Sequence, residues 1–210
     1  MTQISKEVIC PKCLKGNKIN MLVNICNNLN PEFKERILRE DLFDWECEHC
    51  KYVAQLSYPL MFSDHQRQYV ICLTPRAGKA DSIKSNSQLE NYTKRRVKSL
   101  AELKEKILIF DVGFDDLAIE LVKNALVSVV KNSYNVDKVK MYFSKVNEDE
   151  SIEFAVFFVG KKEPWYQSAK ISIYNQSCEV IRTLDYKEEN EFIRVGPTLA
   201  SKLLAKYKEI

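Results

Sequence analysis

The chain has 210 residues, 45% of them hydrophobic and 29% charged, a composition that fits one or two globular domains and excludes a disordered or low-complexity chain. Net charge is +3, too small to imply a polyanionic partner for the whole molecule, but residues 75–99 carry seven Lys/Arg against two Asp/Glu and hold all of the excess. No apolar run approaches the roughly 20 residues of a membrane span, and MTQISKEVIC lacks the layout of a secretion signal, so a cytoplasmic protein is expected.

In chain order, the first motif is CPKC at residues 10–13. KINMLVNIC (18–26) then alternates Ile19, Met21, Val23 and Ile25 against a more polar face, which predicts a half-buried strand. Asn30-Pro31 marks a helix start, and Phe33, Ile37 and Leu38 give that short helix an apolar face. LFDWEC and KYVAQLSY read as strands on either side of a second motif, CEHC at 47–50, and RQYVICLTP reads as a further strand ended by Pro75.

A single CxxC leaves redox and metal chemistry open, because both need two sulfurs on a tight turn. The second pair favours metal: Cys10, Cys13, Cys47 and Cys50 form C-x2-C-x33-C-x2-C, and a strand-helix-strand excursion returns the chain to complete a tetrahedron. Four thiolates make the closed, structural form of a Zn²⁺ site. The alternative is a set of unmetallated thiols or a thiol/disulfide switch. Lys12, Lys15 and Lys51 stand beside the pairs and partly offset the −2 charge that four thiolates and Zn²⁺ leave. His49, inside the second pair, is expected to point off the turn. Cys26, Cys72 and Cys178, in or beside strand patterns, are expected to behave as small buried hydrophobes. Asp64, His65 and Cys72 invite a nucleophile reading, but His65 and Cys72 fall on either side of a strand, too far apart to act together.

The stretch PRAGKADSIKSNSQLENYTKRRVKS is poor in large aliphatic residues and reads as a basic linker or long loop, residues 76–99, between a unit at 1–75 and another at 100–210. Lys94, Arg95, Arg96 and Lys98, with Tyr92, also permit a nucleic-acid-binding reading; a solvated linker is the simpler one. In the second unit LAELKEKILIF (100–110) and FDDLAIELVKNALVSVVKN (114–132) predict helices, the second capped near Asp115 and Asp116. Strand-like runs follow at KVKMYFSKV, IEFAVFFVG, AKISIYN and CEVIRTL, and a last helix starts at Gly196-Pro197. The predicted class is α+β: an elaborated antiparallel ribbon with one short inserted helix, then helices packed on an antiparallel sheet.

CPKC, the NPEFKERILREDLFDWECEHC segment (30–50), the YPLMFSD stretch (58–64) and FDVGFDDLAIELVK (110–123) resemble the CpXC family, bacterial and archaeal proteins named for two Cys-Pro-x-Cys motifs. The resemblance implies a zinc-ligand role for Cys10, Cys13, Cys47 and Cys50 and supplies no activity, the family being functionally uncharacterised. This chain departs from the motif at Glu48, which replaces proline, and has Leu14 and Lys51 where zinc knuckles commonly place glycine. The expected function is a non-catalytic binding or scaffold module with a protein partner. The alternatives are a nucleic-acid-binding ribbon, or an enzyme with its site near Trp165 and Tyr166, which otherwise read as a packed or interface aromatic pair.

Overall fold

The structure is a computed structural model that describes residues 2–75, 89–161 and 163–210. The chain divides into two compact units, Met1–Lys104 with Asn190–Phe192, and Glu105–Glu189 with Ile193–Ile210. Among the described residues no helix is long and apolar enough to cross a membrane.

In the first unit β1 (Thr2–Ile9) and β2 (Gly16–Cys26) form an antiparallel hairpin, followed by α1 (Pro31–Leu38) and a second, shorter hairpin of β3 (Asp44–Glu46) and β4 (Val53–Gln55). β5 (Leu60–Asp64), β6 (Tyr69–Leu73) and β7 (Thr93–Val97) complete a five-stranded sheet in the order β1-β2-β5-β6-β7. Its core is built from β-branched and aromatic residues, with Ile25, Phe62, Val70 and Ile71 fully buried. The expectation of a purely antiparallel ribbon is corrected here: β2 pairs with β5, and β6 with β7, in parallel. The helix and second hairpin between β2 and β5 supply the long crossover that a parallel pair requires.

The linker expectation for 76–99 also changes. Residues 76–88 lie outside the described residues, but Thr93–Val97 is a sheet strand. Lys94 and Arg95 are each only 3% exposed. The Lys94 ammonium donates to the Glu90 carbonyl and to Asn190 Oδ1, and Arg95 Nη1 donates to the Lys94 carbonyl at 3.0 Å. The unit boundary accordingly falls after Lys104, inside a helix, and not at residue 99.

The second unit takes in most of α2 (Leu100–Asp111), then α3 (Asp116–Tyr134), the strands β8 (Val139–Val146), β9 (Ile152–Phe158) and β10 (Trp165–Ala169), α4 (Ile171–Thr183) and α5 (Pro197–Tyr207). The sheet is antiparallel in the order β10-β9-β8, and its inner face (Met141, Phe143, Ile152, Phe154, Val156) packs with Ile119 and Val122 of α3. Asp115 caps α3, its carboxylate accepting from the Leu117 and Ala118 amides, as Ser, Asn and Asp do at helix starts. The runs at 169–175 and 178–184, read as two strands, lie mostly in the single helix α4 instead, with Ala169 ending β10. Ile173, Ser177, Val180 or Ile181, and Leu184 recur at helical spacing toward the two apolar clusters, and this longer period overrides the local β-branched character. Cys178 therefore sits on a helix.

Five charged side chains are buried between α2 and α3. Lys106 pairs with Asp116 at 2.6 Å, while Lys123 contacts Glu105 at 2.9 Å and Glu120 at 2.8 Å. Glu105 Oε1 also accepts the Phe143 amide proton at 2.7 Å, tying α2 to β8. Burial pushes the Lys123 ammonium toward neutrality, but Glu105 and Glu120 outweigh it and hold the group above the ordinary lysine range.

Candidate metal centre

Both CxxC pairs lie on hairpin turns of the same design. In the β1–β2 turn the Cys10 amide donates to the Lys15 carbonyl and Leu14 N–H to the Cys10 carbonyl; in the β3–β4 turn the Cys47 amide donates to Tyr52 and Lys51 N–H to Cys47. Each turn closes through one residue in the left-handed region, Leu14 at φ 59° and Lys51 at φ 59°. These are the two positions where glycine is missing. For side chains other than glycine this conformation costs roughly 1–2 kcal/mol. Leu14→Gly and Lys51→Gly, at exposed sites with little packing to lose, should each stabilise the first unit by about 0.5–1 kcal/mol. A lower urea midpoint in both variants would contradict this reading of the turns.

The two turns bring Cys10, Cys13, Cys47 and Cys50 together, all four sulfurs within 4.8 Å of one another. Cys10 Sγ lies 3.6 Å from Cys50 Sγ and Cys13 Sγ lies 3.7 Å from Cys47 Sγ. A disulfide needs about 2.05 Å, whereas the edge of a tetrahedron of sulfurs about 2.3 Å from a central ion is about 3.8 Å. The spacing therefore fits a shared ion. Cys10 and Cys47 are buried against Trp45, with Val8, Ile19, Tyr52 and Leu56 around them, so the ligand set rests on a small apolar floor.

Electrostatics agree with a cation at this point. Burial raises the Cys47 thiol, but hydrogen bonds from the Cys50 and His49 amides and the neighbouring Cys10 and Cys13 sulfurs bring it down to about 6. The Tyr52 amide lowers Cys50, yet burial and the surrounding sulfurs of Cys13, Cys10 and Cys47 push it up to about 12. Cys47 ionises readily, and a positive ion among the sulfurs would let Cys50 follow.

Asn17, which pattern reading missed, joins the two turns. Buried on β2, it accepts the Glu48 amide proton at 2.9 Å and donates to the Lys15 carbonyl at 3.1 Å. His49 stays outside the sulfur cluster, its Nε2 lying 3.3 Å from the Gly16 carbonyl. Lys51 pairs with Glu46 at 3.0 Å, and Lys12 and Lys15 are exposed.

The remaining expected site residues do not converge. Lys94 and Arg95 are buried in β7, Arg96 is half-buried and Lys98 is exposed, so the four do not present one basic face. Asp64 accepts from Asn27 Nδ2 at 2.7 Å and from the Arg67 amide at 2.9 Å, shaping the β5–β6 turn, while His65 Nδ1 lies 2.7 Å from the Tyr92 hydroxyl. Neither is bonded to Cys72, a buried thiol of β6 that burial pushes up to about 12. In the second unit, Lys145, Asn147, Asp149, Ser151, Ser168 and Lys170 line an open polar cavity of about 640 Å³ beside the β8–β9 turn.

A search of curated proteins and a search of solved structures each found no match. The family model described as CpXC protein matches residues 8–123, more than half of the chain and all four clustered cysteines. With both cysteine pairs inside that match and their sulfurs gathered in one place, the chain belongs to the CpXC family.

Proposed function

We propose that the protein is a non-catalytic binding or scaffold module of the cytoplasm whose Cys10, Cys13, Cys47 and Cys50 hold one structural Zn²⁺. The observation that carries the reading is the closed set of four sulfurs within 4.8 Å. Four protein ligands leave no coordination position for water or substrate, which is the property that separates structural from catalytic zinc. Zinc suits an all-thiolate tetrahedral site, and reduced thiols persist in a cytoplasmic setting. The ion supplies cohesion that so small an apolar floor provides poorly.

The binding part of the reading is supported by apolar side chains on the turns themselves. Leu14 is 77% exposed at the tip of the first turn, and Ile9 of the first hairpin and Val53 of the second are exposed as well. An exposed leucine in a left-handed conformation is doubly unfavourable in the isolated molecule, and a protein partner covering it accounts for its presence.

Cobalt substitution tests the closed site. The Co²⁺ protein should show tetrahedral thiolate bands that added azide or imidazole leaves unchanged. Bands that shift on adding either ligand would reveal an open position and contradict a structural role.

A further inference from the structure

Among the described residues, four strands of five residues or more stand at sheet edges, namely β1, β7, β8 and β10. Exposed edges present unpaired N–H and C=O groups and are normally blunted by charge or by bulges. β1 carries Lys6 and Glu7 and a register shift at Thr2/Gln3; β7 carries Lys94, Arg95 and Arg96. β8 carries Lys140 and Lys145, has a shift at Phe143/Lys145, and has its Phe143 amide taken by Glu105. β10, Trp165-Tyr166-Gln167-Ser168-Ala169, has no charged residue and no register shift, and among the described residues it pairs only with β9.

The β10 edge is also apolar and accessible. Trp165 is 40% exposed and Tyr166 51% exposed. Trp165 lies against Tyr134 at 4.6 Å and stacks on Phe158 at 6.3 Å, so an aromatic cluster stands at the β10 edge, on the face that packs against α3. Rigid aromatics at an edge are enriched where proteins associate.

We infer that β10 is a homodimerisation edge, pairing antiparallel with β10 of a second copy about a two-fold axis at Gln167. The occupant is a second copy because the strand is complementary to itself in that register. Trp165 falls opposite the partner's Ala169 and Tyr166 opposite the partner's Ser168, each large residue meeting a small one, while Gln167 meets Gln167. Roughly four to six backbone hydrogen bonds would form, joining two three-stranded sheets into one of six. So short a seam is at the small end of specific interfaces, and it gives a reversible dimer with Kd on the order of 10–100 µM.

The test is sedimentation equilibrium of the zinc-loaded, reduced full chain across that concentration range. The weight-average mass should climb from 24.5 kDa toward twice that value. Gln167→Lys and Gln167→Glu each place like charges face to face across the axis and should weaken association at least about tenfold. An equimolar mixture of the two should restore it, which a folding defect cannot imitate. Ser168→Trp, on the exposed side of the strand, sets a large residue against the partner's Tyr166 and should also give a monomer. A wild-type mass fixed at the monomer value, or a dimer that all three variants leave intact, would overturn the assignment.

Discussion

Replacing Cys10 and Cys47 together with serine should unfold the first unit while the second keeps its structure. A structural Zn²⁺ contributes an apparent 10–16 kcal/mol at neutral pH, about as much as the 5–15 kcal/mol by which whole domains are stable. The floor beneath the sulfurs is essentially Trp45 with a few half-buried neighbours, too little to hold the two hairpins once the ion is gone. The two tryptophans report on the two halves separately, since Trp45 lies in the first unit and Trp165 in the second. With each tryptophan in turn replaced by phenylalanine, the Trp45 signal of the double-serine variant should already be that of the unfolded state in buffer. The Trp165 signal should still show a cooperative guanidinium transition. Superimposable Trp45 transitions in the wild-type and double-serine backgrounds would mean that the ion does not hold this unit.

The second large effect belongs to Lys123. Lys123→Met removes the cation that contacts both Glu105 and Glu120, and both carboxylates are more than nine-tenths buried. Leaving such charges uncompensated costs about 3–5 kcal/mol, enough to shift the unfolding of the second unit by many degrees. The triple variant Lys123→Met, Glu105→Gln, Glu120→Gln should recover most of this loss, because the amide of Gln at 105 still accepts the Phe143 proton and no buried charge is left unpaired. The pH dependence has a definite sign. Lys123 is held above its ordinary value, so its contribution is complete below the unfolded lysine pKa of about 10.4 and fades as pH rises through the higher folded value. Stability of the wild type should therefore fall more steeply in that alkaline window than stability of the triple variant. A Lys123→Met protein within 1 kcal/mol of wild type would show that the network is solvated and not buried.

The four-cysteine cluster was legible because its chemistry is written in spacing. CPKC and CEHC each specify a turn, and NPEFKERIL between them specifies the helix that lets the chain come back. Asn17 was not legible as the link between the turns, because its partner Glu48 is 31 residues away and nothing local marks a buried asparagine. TKRRV failed for the same reason in reverse. Three charged residues in five read as a solvated linker, yet Lys94 is satisfied by Asn190, 96 residues later, and no short window contains both. The pairing of β2 with β5 is likewise a long-range choice, while hairpin partners β1–β2 and β5–β6 follow from short connections. In the second unit AKISIYN (169–175) and CEVIRTL (178–184) each suggested a strand, and only the full 13 residues of α4 show a helical period.

The central claim is that four cysteines hold one zinc ion, and metal analysis of the protein purified under reducing conditions without added metal tests it most directly. Plasma mass spectrometry should find one zinc per 24.5 kDa chain in the wild type and none in the Cys10→Ser, Cys47→Ser variant. Wild-type protein with four titratable thiols at these positions and no stoichiometric metal, or with iron in place of zinc, would contradict it.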